Sequence, residues 1–175
     1  MNSLFIDIRE RMKNDAMLSD FYIDENYGQL DTETDFYQVD FPCILLDITQ
    51  TEWDNLVHGT QVGTCTVKVS LAIDCKDEEL GNSIDERIEK REVYFNRMHR
   101  LLHNFSSGSC TPLIRKSFLT QSLPGSIKVY ECTYTCTLKE STAPSGKIFD
   151  KPLSIFIEPV NEIEKFAFPE LENTI

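Results

Sequence analysis

The longest regular pattern in the chain lies between Val62 and Cys75, VGTCTVKVSLAIDC, where Gly63, Cys65, Val67, Val69, Leu71 and Ile73 alternate with Thr64, Thr66, Lys68, Ser70 and Ala72. Period-2 alternation of this length, rich in β-branched residues and free of proline, predicts a long strand with one buried face. The acidic cluster from Asp74 to Glu79 marks where that strand leaves the core. Upstream, Leu4, Phe5, Ile8, Met12 and Ala16 recur at spacings of three and four among Asp7, Arg9, Glu10, Arg11 and Lys13, which predicts an amphipathic helix from Ser3 to about Leu18. Downstream, Ser83-Ile84-Asp85-Glu86 has the Ser-x-x-Glu form of a capping box and opens the longest helix. Its inward stripe is Ile84, Ile88, Phe95, Met98, Leu102 and Phe105, it runs to about Asn104, and Ser106-Ser107-Gly108 ends it.

Between these elements the punctuation is clear in places. Asp20 to Asp35 is polar and acidic, with Tyr27-Gly28 as a turn signal, and alternation resumes at Phe36 to Asp40. The apolar run Cys43 to Leu46 predicts a strand buried on both faces, with Pro42 at its start because proline cannot donate into a central ladder. Asp47 to Thr60, DITQTEWDNLVHGT, reads as a loop carrying the one tryptophan, Trp53, which either folds onto its own core or anchors a partner. Leu113 to Ser122, a Leu123-Pro124-Gly125-Ser126 turn and Ile127 to Leu138 make a hairpin. In its second arm Tyr130, Cys132, Tyr134, Cys136 and Leu138 share the core face. Linker composition follows Lys139, then a short strand at Leu153 to Ile157 and a glutamate-rich end containing Phe166 and Phe168, read as an arm on a neighbouring subunit or a frayed tail. The order helix, strand, strand, helix, strand, strand predicts an α+β fold. It comprises a single antiparallel-rich, mixed sheet of four to five strands, with both helices on one face, in residues 1–138, and an extension in residues 139–175.

Composition narrows the function more than it names one. A chain of 175 residues is expected to form one main core, and its net charge of −12 argues against nucleic-acid binding as the main task, since phosphates are held by clustered Lys and Arg. No apolar run approaches the roughly 18 residues of a membrane span, and the amino terminus lacks the pattern of an export signal. The expectation is therefore a protein of a reducing compartment whose six cysteines, with no Cys-x-x-Cys pair, are core thiols.

Candidate chemistry is thin. His99 and His103 stand one helical turn apart, as in some zinc sites, but Arg100 occupies the position where a glutamate would follow the first histidine, and no third ligand suggests itself. Neither a Gly-x-Ser-x-Gly elbow, nor a cysteine with a histidine partner, nor a phosphate-cradling glycine loop is present. No enzyme activity, cofactor or metal is expected.

Four phrases carry a resemblance: LFIDIRERMKND, FPCILLDI with a tryptophan a few residues later, Q-x-G before VKVSLAID, and the closing Y-x-C-x-Y strand. Together, over about Leu4 to Leu138, they resemble the tail terminator (tail completion) proteins of long-tailed bacteriophages, in particular versions carried by prophage-like elements of gut bacteria. The resemblance implies a non-enzymatic assembly part: a ring, commonly a hexamer, that caps the tail tube and joins it to the head connector. Its partners would be further copies of itself, the tail tube protein and the head connector protein. It would be found in the host cytoplasm during assembly and then in the virion tail, with DNA passing through without being held. A ring needs heterologous contacts, and Trp53, Asp54 and Asn55, with Phe166 and Phe168 in the tail, are the candidate interface residues. A head-tail joining or neck protein of the same fold is a first alternative. A small enzyme or binding module with a site near His99, His103, Asp74, Asp77 and Glu78 is a second.

Overall fold

The computed structural model describes residues 2–31, 39–55, 60–108 and 110–141. It is an α+β fold: helix α1 (Asn2–Lys13), strands β1 (Tyr22–Glu25), β2 (Cys43–Asn55) and β3 (Thr60–Asp74), helix α2 (Ile84–Leu102), and strands β4 (Ile114–Leu123) and β5 (Ile127–Ser141). One sheet holds the five strands in the order β1-β2-β3-β5-β4. β1 is parallel to β2 and every other pair is antiparallel, so the sheet is mixed.

The Val62–Cys75 pattern becomes the central strand. On β3, Cys65, Val67, Val69, Leu71 and Ile73 are all buried, and they meet Cys132, Tyr134, Cys136 and Leu138 of β5 and Ile44 and Leu46 of β2 in one core. Leu4, Ile8 and Met12 of α1 and Met98 and Leu102 of α2 complete that core from above, which puts both helices on the same face of the sheet. Burial of so many side chains of this size, each contributing about 1.5–3 kcal/mol relative to exposure, is the main force holding helices to sheet. Cross-links fix their spacing: Arg11 Nε donates to Leu101 O at 2.6 Å, and the Phe21 ring meets Tyr94 edge-on at 5.0 Å between centroids.

The run Cys43 to Leu46 is indeed buried on both faces, because a second cluster covers the reverse side. There Cys43, Leu45, Ala72, Ile127 and Val129 pack with Tyr22, Leu30, Val39, Phe41 and Leu123. Pro42 immediately precedes β2, and its carbonyl accepts the N–H of Tyr22 at 3.2 Å, opening the β1–β2 pairing.

Four expectations need correction. The first helix stops at Lys13, not Leu18, because the Asp15 carboxylate takes the N–H of Met17 at 3.1 Å, a local bond that competes with the helical ladder. Ala16 is exposed as a result. The polar stretch after Asp20 contains β1, too short for periodicity to reveal. The expected loop from Asp47 to Thr60 is strand over its first nine residues: β2 continues to Asn55, with a bulge between Ile48 and Gln50 that breaks the alternation, and β3 begins at Thr60. Finally, α2 is framed as expected at its start, with the Ser83–Glu86 capping box formed, but its stripe is only half inward. Met98 and Leu102 are buried, whereas Ile84 and Ile88 are exposed. Residues 142–175, with the expected strand at Leu153 to Ile157, and the alternating Phe36 to Tyr37 lie outside the described residues.

Candidate interaction surface

Trp53 stands on β2 opposite Gly63 and is half-buried, packed against the helix-covered core. Asp54 beside it lies on the opposite face and is exposed, and Asn55 is the last residue of β2, opposite Gln61. The three therefore share the end of the sheet opposite Asp74. Phe166 and Phe168 lie outside the described residues.

The two histidines differ in setting: His99 is half-buried beside Tyr134, whereas His103 is exposed. His99 Nδ1 lies 2.9 Å from the hydroxyl of the fully buried Tyr134, and the His99 and His103 rings are 5.1 Å apart. Burial, then the positive charge of Arg115 and then His103, push the His99 pKa below its usual value, so the ring is held neutral as a partner for a phenol. Burial likewise raises the Tyr134 hydroxyl well above the ordinary tyrosine range. The acidic residues proposed as their companions are elsewhere. Asp74 ends β3 and Asp77 precedes the N-terminus of α2, while the histidines sit at its C-terminal end, about 20 Å or more away at 1.5 Å per residue. Asp74 and Asp77 accept the N–H groups of Lys76 and Glu79 and shape the turn into α2. Among the described residues no group of three or more His, Cys, Asp or Glu is placed to hold a metal ion. None of the six cysteines is in a disulfide. Burial pushes the Cys43 thiol up to about 12, the opposite of an activated nucleophile.

A depression between the helices is an open groove lined by Asp7, Glu10, Arg11, Asn14 and Phe105 among others. In it Arg11 stacks on the Phe105 ring at 4.8 Å while bonding Leu101 O, and Asp15 is bridged by Arg97. A ligand pocket of apolar walls with a few converging polar groups has no counterpart among the described residues.

β4, which sequence reading did not single out, exposes apolar side chains, as α2 does through Ile84, Ile88 and Val93. Ile114 is 39% exposed, Phe118 48% and Leu119 55%, and the strand is open on both faces. Phe118 pairs with Cys132 on the helix side, where it meets Phe95 at 4.7 Å between centroids, and Leu119 pairs with Glu131 on the other. Apolar side chains on a strand at the border of a sheet are the kind of surface to which another chain can add.

The arrangement of elements is shared with a virion protein. One chain of the virion of a native gene transfer agent particle superposes with a TM-score of 0.50 at 7% identity, covering 76% of this chain and 92% of that one. The likeness is one of fold. No family model matches the chain, and no curated protein matches it in sequence. No helix among the described residues is long and apolar enough to cross a membrane.

Proposed function

We propose that this chain is a non-enzymatic structural component of a phage-type virion, and within it a tail terminator: a ring-forming protein that caps the tail tube and meets the head connector. The observation that carries the reading is the fold shared with a virion chain over nearly the whole of that chain's length, which joins with the four terminator-like phrases between Leu4 and Leu138. The surface is of the matching kind. Apolar side chains are exposed on β4 and on one flank of α2. A hexamer is the expected ring, with further copies of the chain, a tail tube protein and a head connector protein as partners. Trp53, Asp54 and Asn55 belong to its subunit contacts, as do Phe166 and Phe168.

Light scattering on the purified chain across a wide concentration range tests this directly. A closed oligomer, or a monomer that assembles to a fixed mass as concentration rises, is the expected result. A monomer at every concentration that also leaves tube polymerisation unchanged when added to tube protein would sink the terminator reading.

A further inference from the structure

Among the described strands β1 and β4 stand at opposite ends of the sheet order, and each end carries exposed side chains of a different kind. At the β1 end a tightly bonded turn presents a tyrosine. Tyr22 and Asn26 donate to Pro42 O and Leu46 O of the β2 side, so the odd-numbered carbonyls of β1 face away from β2. Side chains bond these outward carbonyls: Lys13 Nζ donates to Phe21 O at 2.7 Å, Arg9 Nε to Ile23 O at 3.1 Å and Gln29 Nε2 to Glu25 O at 2.7 Å. The buried Gln29 side chain also accepts the N–H of Tyr27 at 2.8 Å, Gly28 takes a φ of +94°, and the Asp31 N–H closes the turn on Gly28 O at 3.0 Å. On this fixed backbone Tyr27 is 64% exposed. A large ring already held in place loses little freedom when a partner covers it. The segment around it is acidic: Asp20 to Asp31 contains Asp20, Asp24, Glu25 and Asp31 and no base.

At the β4 end the exposed surface is apolar and basic. α2 turns one flank to α1, where Tyr94 meets Phe21, Arg97 bonds Asp15 and Leu101 O accepts from Arg11. That leaves Ile84, Ile88 and Phe95 on the opposite flank, towards β4. The Phe95 ring lies 4.7 Å from Phe118 and 5.6 Å from Tyr130 between centroids, so three rings from α2, β4 and β5 form one apolar face. Exposed Ile84 and Ile88, the latter 47% accessible, extend it along the helix. β4 adds Arg115 and Lys116, both exposed, and no acid.

We propose that these two surfaces meet between copies of the chain, the Tyr27 turn of one copy packing on the Ile88, Phe95 and Phe118 face of the next. This rests on the ring reading above and names the surfaces that join its subunits. Charge selects a second copy as the occupant: the acids around Tyr27 face Arg115 and Lys116, whereas turn against turn or β4 against β4 sets like charges together. A tyrosine seated on apolar side chains and rimmed by charge also has the composition of an interface anchor. Unlike surfaces at the two ends of one sheet order make a heterologous, head-to-tail contact, which repeats from copy to copy and closes a ring where the rotation permits. Side chains on faces make this contact, so it requires no free strand edge.

Head-to-tail contact means that two differently crippled copies can still join once. The test uses the full chain as wild type, Tyr27→Ala, Ile88→Glu and an equimolar mixture of the two variants; both positions are exposed, and circular dichroism checks folding. Each variant alone is expected to raise the concentration for half-assembly, read by light scattering, about tenfold. The mixture is expected to stop at a dimer, because the Tyr27 turn of the Ile88→Glu copy still fits the intact face of the Tyr27→Ala copy and no second sound junction is left. Wild type that assembles alongside variants of unchanged midpoint overturns the contact while leaving a ring possible. So do weakened variants whose mixture stays monomeric, since the two surfaces then do not meet each other. A wild type that stays monomeric at every concentration overturns the ring together with the contact.

Discussion

At the scale of single residues, several polar groups that look like chemistry prove to be joints. Asp15 is almost fully buried beneath the turn after α1, accepting from Arg97 Nε at 2.8 Å and from the N–H of Met17. The Arg97 hydrogen bond, opposed by burial, holds its carboxyl below the usual carboxylate range. A group whose folded pKa is depressed contributes stability that is complete above its unfolded value, about 3.9, and is lost as pH falls through the folded value. Asp15→Asn should therefore lower the thermal midpoint by a few degrees at pH 7, with the gap to wild type closing as the pH drops below about 4, measured by calorimetry at stepped pH. An unchanged gap at low pH would mean that the charge is not what Asp15 contributes. The sequence showed Asp15 as an acid near the end of a helix, but its partner Arg97 is 82 positions away, a pairing no local spacing carries.

At the scale of elements, local signals were most faithful where the cause is local. The capping box at Ser83–Glu86 formed as read: Ser83 Oγ accepts the Glu86 N–H at 3.2 Å, and the Glu86 carboxylate accepts the N–H groups of Asn82 and Ser83. Gly81 just before it has φ +127°, and a Cβ there would lie 2.7 Å from Glu86 Cβ, so the approach to the cap requires glycine. Ser83→Ala is expected to cost about 1 kcal/mol in urea unfolding, and Gly81→Ala to cost more, since it combines backbone strain with a clash. Equal and negligible effects would show that the start of α2 is held by packing alone. The exposed Ile84 and Ile88 show the limit of such reading: helical period identifies a stripe, but only the position of the sheet beneath decides which part of the stripe is covered.

At the scale of the whole molecule, charge sets behaviour. With a net charge of −12, the chain should not retain duplex DNA at physiological salt. A gel-shift titration showing binding that weakens steeply with salt would contradict this and with it a ring through which DNA slides freely.

The sequence alone determined the central strand, both helices, the β4–β5 hairpin and the α+β class, because amphipathic period and turn chemistry are written in neighbouring residues. It also settled which residues of β3 and β5 face the core. Only the tertiary structure decided that Asp47–Asn55 is strand, that Trp53 lies on the core side, that His99 serves Tyr134, and that side chains bond the outward carbonyls of β1. Those features depend on which distant strand or helix supplies the opposite hydrogen bond or covering side chain, and pairing across the sheet leaves no mark within a short window of sequence.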